Sequence, residues 1–493
     1  MTLTWTELRS SALVGTERRA VRPDALADVI ALPPDQDTEG RTLVAAALFG
    51  AARRTAATPS PTDLAPLAEP APSEPERWAP PAATQLLELL LGNNLGRPAE
   101  AAPLLQHWFT ECARLGRIVP DTLLVRALTQ GGTAPERRAP IRACLGERGR
   151  WLAGQRPTWD WAVGAPGPDQ VELTPAALLE LGKDARIDAL RTLRSVDPER
   201  GRLLFEAVMD QLDASTRADL LACLSVGLGP DDEALLETAL DSRAKSVRAT
   251  ALRLFERLPD SARAARLQAV LAPLVDSSGR LRRSLTVERP ELPSGELARD
   301  LPAPAGGVTA ETQWMRALVA GVGLPWWERT LDEPPDKILI RRLDPADDLL
   351  AGWARAAVAA GEVAWARALL PHTQAPGLWR LAGDDPGVQR LAVDRFATTE
   401  NVVERTQLLH ALPAPWSVDL ATSLLDVARR SKMPHQPMAA IEGAAESLPD
   451  DVLPQLDSWL QRVDRDKDQL LHRSLRSLVK YLSARSSITE AFA

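Results

Sequence analysis

Apolar positions between residues 231 and 259 recur at helical spacing. In "DDEALLETALDSRAKSVRATALRLFERLP", Leu235, Leu236, Ala239 and Leu240 mark one face. Val247, Ala251, Leu254 and Leu258 mark another, at i, i+4, i+7 and i+11. The same pattern runs upstream through Ile187, Leu190 and Leu193, then Leu204, Val208 and Leu212, then Leu220, Leu221 and Leu224. A further helix is predicted at about 260–275. None of these helices is long enough to shield its stripe alone. Each must pack on the hairpins before and after it, which is the physical basis of a stacked helical repeat.

The rest of the chain reads as helices broken by proline. Near the start, Thr4 and Glu7 have capping-box spacing, Leu3 and Leu8 sit as a hydrophobic staple, and Gly15 is a natural stop. The turn that follows carries Arg18 and Arg19, candidates for contact with an anionic partner. A second helix is predicted at about 39–54, and then a Pro-rich loop at 56–82, where repeated loss of the N–H donor forbids a long helix. Helices are predicted again at 83–92, 99–115, 120–130 and 135–153. Trp151, Trp159 and Trp161 follow, split by Pro157, as a cluster that locks a loop onto a core or stacks on a ligand. Pro and Gly interrupt the period at 284–310. Beyond it come helix pairs at 349–359 with 362–370 and at 401–412 with 417–430, with Ser417 as an N-cap. Helices at 450–463 and 468–484 complete the pattern, the last marked by Leu471, Leu475, Leu478 and Leu482. "KILIRRL" at 337–343 is the best strand candidate.

The expected fold is all-α: an α-solenoid of antiparallel helix hairpins with irregular Pro-rich insertions. Its expected divisions are an N-terminal helical region at 1–165, a repeat region at 166–283, a linker or crossing loop at 284–310, and a C-terminal helical repeat region at 311–493.

Residues 231–259 also resemble a HEAT-type repeat, through leucines on the first helix, Asp241 in the turn and Val247-Arg248 opening the second. The resemblance implies that Asp241 caps the second helix and that Arg248 makes lateral polar contacts between repeats, with Val247 and Leu254 in the core. The whole chain is similar to an uncharacterised bacterial family of unknown function, through "LRSSALVGTERR", "RGRWLAGQRPTWDW", the 185–258 block and "ALPAPWS". That resemblance implies helical repeats and no assigned activity. Members lie near genes for MoxR-type AAA+ ATPases, von Willebrand A-type proteins and SWIM zinc-finger proteins. It therefore implies an adaptor in an assembly, with an AAA+ ATPase or a von Willebrand A-type protein as partner.

Charge narrows the picture. The chain has 58 basic and 66 acidic residues, a net of −8, which argues against a dedicated nucleic-acid binder. A local arginine patch at 137–156, including Arg138 and Arg142, keeps that alternative open. Among anchors for a protein partner, Trp326-Trp327 stand out beside a proline, since Trp is enriched at interface hot spots.

Candidate chemistry is sparse. The "GK" at Gly182-Lys183 has Ala177 and Asp184 where a phosphate loop needs glycine and a hydroxyl. "DRDKD" at 464–468 begins like a calcium loop but has Gln469 and Leu475 at the glycine and glutamate positions, so it reads as a helix cap. No histidine has an HExxH partner, no G-x-S-x-G elbow occurs, and the three cysteines match neither a zinc motif nor a disulfide framework. No signal peptide or bilayer-spanning run is evident, which leads to the expectation of a soluble cytoplasmic protein. The expected function is a non-catalytic scaffold or adaptor without cofactor or metal. Its rivals are a nucleic-acid-associated protein and an enzyme with an unrecognised site.

Overall fold

Several helices start where the sequence offers a cap. Asp197 accepts from the Arg200 amide at 3.0 Å, with Pro198 at the first helical position of Pro198–Val208. Ser417 accepts from the Leu420 amide at 3.2 Å and opens Val418–Arg430, as its spacing predicts. Asp468 accepts from the Leu471 amide at 3.0 Å and opens Gln469–Phe492, so the calcium-like run is a cap. The computed structural model describes residues 5–19, 37–56, 77–92, 98–163, 173–277, 284–289, 291, 296–302 and 309–493. Among these are twenty-eight α-helices and three short strands, which makes the fold helix-dominated.

The chain forms two compact units, Met1–Pro70 and Ala71–Ala493. In the first, Trp5–Val14 pairs with Thr38–Ala56 and buries Leu8, Ser11, Thr42 and Ala45. Gly15, at φ 98°, stops the first helix as expected. The predicted Thr4–Glu7 box, the Leu3 staple and most of the Pro-rich loop lie outside the described residues.

In the second unit, Lys183–Val196, Pro198–Val208, Ala214–Ala222, Glu233–Leu240 and Lys245–Phe255 bury the stripe leucines read from the sequence. The predicted helix at 135–153 is broken into Arg138–Ala143 and Gly146–Ala153, because Gly146 takes φ 64°. The predicted 450–463 helix shortens to Leu453–Leu460.

The stretch 284–310 carries structure of its own. Strand β1, Val275–Asp276, pairs antiparallel with β2, Ser284–Val287, and β2 pairs in parallel with β3, Arg342–Asp344. Leu285 and Val287 face the core from β2 while Ser284 and Thr286 do not, a period of two over only four residues. The "KILIRRL" candidate thus divides: Pro335–Leu339 is helical, and only its end enters the sheet. The short helix Glu296–Arg299 and Asp300 beside it are clamped to the helices of 233–271. Arg266 holds Asp300 through two bonds of 2.6 and 2.8 Å, and Arg299 reaches Asp241 at 2.6 Å and Glu237 at 2.8 Å.

Tryptophan organises the C-terminal core. Trp326, Trp327, Trp353 and Trp365 form a chain of ring contacts with centroids 5.0, 5.3 and 5.6 Å apart. The last helix joins two cores. Leu471, Leu475, Leu478 and Leu482 pack with the C-terminal cluster, whereas Ile488 and Phe492 pack with residues of 79–162. Trp108 meets Phe492 at 5.2 Å, and His107 Nε2 lies 3.0 Å from Thr489 Oγ1. The predicted end at 484 falls short because residues 485–492 find their partner at the other end of this unit.

Candidate binding cleft along the last helix

The helix Gln469–Phe492 buries Leu471, Leu475, Leu478 and Leu482 on one side. On another it carries His472, Arg473, Arg476 and Lys480, spaced by three and four residues and therefore neighbours on the surface. These side chains form one wall of a cleft of about 1050 Å³. Pro103 and Leu104 of Pro98–Arg114 contribute to it, as do Glu442 and Gly443 from the end of His435–Gly443, then Ala445 and Glu446. Arg465 and Asp466 close it before the helix starts.

The arginines in and beside the cleft fall into two groups. Arg485 is buried and fully engaged: it reaches Asp450 at 2.8 and 2.5 Å, donates to the carbonyls of Glu446 and Leu448, and lies over the Tyr481 ring. It pins the helix to the 446–450 turn and so sets the cleft's shape. Burial pushes the Tyr481 phenol up from its ordinary value, so the ring lines the cleft uncharged. Arg465, Arg473 and Arg476 are solvent-exposed and make no ion pair with any described residue.

The arginines singled out from the sequence are differently placed. Arg138 Nη1 lies 2.5 Å from Asp184, its Nε donates to the Gly131 carbonyl, and the guanidinium sits over Trp161. Arg142 bonds the Trp161 carbonyl and pairs with Asp188 at 2.6 Å. Arg148 pairs with Asp121, Arg150 with Glu147, and Arg156 stacks on Trp159. Arg138 and Arg142 therefore join residues 138–161 to the helix Lys183–Val196, whereas Arg148, Arg150 and Arg156 remain partly exposed and engage neighbouring side chains. Trp159 and Trp161 are buried and fasten that loop to a core. Arg18 and Arg19 are exposed in the first unit, where Arg19 donates to Ser10 at 2.9 Å.

Trp327 is wholly buried and Trp326 half-buried against the same core, so the pair anchors the interior and is not an exposed hot spot. Val247 and Leu254 are buried as expected. Asp241 is not the cap of Lys245–Phe255: Ala244 occupies that position with no side-chain bond, and the Asp241 carboxylate is held by Arg299. Arg248 makes no lateral link, because its Nη1 donates to the Ser242 carbonyl of its own turn.

A smaller cavity of about 380 Å³ opens between the hairpins over Phe205, Leu221, Leu235 and Val247. Among the described residues, no group of three His, Cys, Asp or Glu side chains could hold a metal ion, and no helix is long and apolar enough to cross a membrane. All three cysteines are buried, and burial pushes the Cys223 thiol up to about 11.

Sequence reasoning missed the cleft. The basic spacing at 473, 476 and 480 was visible, but the opposing wall comes from residues 103–104 and 442–446.

Fold and site together define a helix-dominated protein with a mixed-charge surface cleft. Residues 7–492 match the model of a family of unknown function (DUF5691), and the chain belongs to that family. No curated protein and no solved structure matches it.

Proposed function

We propose that the chain is a non-catalytic α-helical repeat scaffold or adaptor that grips a protein partner in the cleft along Gln469–Phe492. In this reading the hairpins of 183–275 and those from 310 onward stack in the manner of a HEAT-like solenoid. Their buried leucines give the rigidity against which a docking surface is held. One observation carries the reading: Arg465, Arg473 and Arg476 line a large cleft without an ion-pair partner among the described residues, whereas Arg138 and Arg142, first suspected of recognition, are each paired with an acid of this chain. The same contrast weakens the nucleic-acid alternative. A cytoplasmic MoxR-type AAA+ ATPase or von Willebrand A-type protein, the partners implied by resemblance, is the first class to test.

The experiment is affinity purification of the full chain from native cells with quantitative mass spectrometry, comparing wild type with Arg473→Glu/Arg476→Glu. The expected result is a reproducible partner that the double variant loses. An identical set of proteins on both baits would refute the cleft as the docking site.

A further inference from the structure

The cleft is lined on one side by arginines and on the other by glutamates. From this we infer that the partner enters it as an acidic peptide segment, with carboxylates on Arg473 and Arg476. The inference rests on reading the cleft as the docking site.

Arg473 and Arg476 lie one turn apart on one helix face, about 4.5 Å along its axis. That separation suits two acidic side chains one turn apart on a partner helix. A guanidinium offers a planar fork that matches a carboxylate, and both forks stand in solvent with no ion pair to any described residue to break. Most arginines near the other helix contacts differ. Arg142, Arg266, Arg299, Arg316 and Arg355 each hold an acid of this chain.

The opposite wall decides between carboxylate and polyphosphate. Glu442, Glu446 and Asp466 line the same cleft. A nucleic-acid backbone carries closely spaced charges and would press against these acids. A peptide can turn its carboxylates to the arginines and a neutral or basic residue to the glutamates. Pro103, Ala445 and the Tyr481 ring, each half-buried, provide apolar surface for a side chain between the carboxylates. The volume, about 1050 Å³, sits at the top of the range for small-molecule sites and leaves room for a peptide stretch.

The test uses the purified full chain and fluorescence anisotropy. The probes are a labelled peptide alternating glutamate with leucine, about four helical turns long, its glutamine counterpart, and a short DNA duplex. The glutamate peptide is expected to bind, and to weaken at about 0.3 M salt. Arg473→Glu/Arg476→Glu should weaken it at least about tenfold, since two charge-assisted contacts are reversed. Glu442→Gln/Glu446→Gln should tighten it several-fold, a gain that a misfolded protein cannot produce.

Equal binding of the glutamine peptide, indifference to the arginine reversal, weaker binding by the Gln variant, or preference for the duplex would each overturn the inference. If the peptide fails while the double variant still loses its cellular partner, the acidic class is wrong and the cleft reading stands. If the cellular partner is also kept, both fall.

Discussion

Replacing Arg194 by methionine removes a cation that is 1% exposed and bound on every side. Its Nη1 and Nη2 hold the two Asp232 oxygens at 2.9 and 2.8 Å. Its remaining donors reach the carbonyls of Val226 at 2.9 Å, Pro198 at 2.6 Å, Leu224 at 3.1 Å and Gly227 at 3.0 Å. The variant leaves Asp232, 3% exposed, with the Gly229 amide at 3.1 Å as its remaining described partner. Breaking a buried pair in this way costs about 3–5 kcal/mol, a large part of the roughly 5–15 kcal/mol that holds a domain together. The double variant Arg194→Met/Asp232→Leu removes the stranded charge and should recover part of the loss. It cannot recover all of it, because the four carbonyls still lack their donor. Gly201→Ala attacks the same centre from outside, since a Cβ there would stand 2.6 Å from the Arg194 Cδ. It should cost more than about 1 kcal/mol, as overpacking does. Urea unfolding followed by far-UV circular dichroism measures all three, with hydrogen exchange across 183–240 reporting whether the damage is local. A loss below about 1 kcal/mol for Arg194→Met, or one that salt abolishes, would refute the reasoning, because a buried pair is little screened.

Leu254→Asp should severely destabilise the helices of 183–275, losing about 1.5–3 kcal/mol of burial and adding an unpaired buried charge; an unchanged melting curve would contradict it. Asp241→Ala should cost no more than about 1 kcal/mol, because its carboxylate is 66% exposed and pairs with Arg299. A double-mutant cycle with Arg299→Ala checks that the loss is shared, whereas a helix cap would show none of that coupling. His107 tests pH dependence. Burial holds its pKa below the ordinary 6.5, so the folded chain binds fewer protons there than the unfolded one. Its contribution to stability is complete above pH 6.5 and declines as pH falls through the folded pKa. Unfolding midpoints measured from pH 7.5 downward should show this decline, and His107→Gln should flatten it.

Much of the helical architecture was legible because a helix is a local object. Val247, Ala251 and Leu254 declare their face through spacing alone, and Asp197, Ser417 and Asp468 cap helices through bonds to amides three residues on. Strand β2 was hidden because four alternating residues are too short a signal, and its partner β3 lies about sixty residues away. The continuation of the last helix past 484 was hidden for a similar reason: Phe492 is buried only because Trp108 is there to meet it.

The sequence by itself marked many of the helical stretches, several of their caps and their apolar faces, since hydrophobic spacing and capping act within a few residues. It could not assign its arginines. Arg138, Arg194 and Arg476 are chemically the same, yet the first joins two helices, the second is sealed in a core and the third faces solvent in a cleft. A guanidinium's role depends on whether acids and carbonyls from distant segments reach it before water does. Only the packed chain decides that.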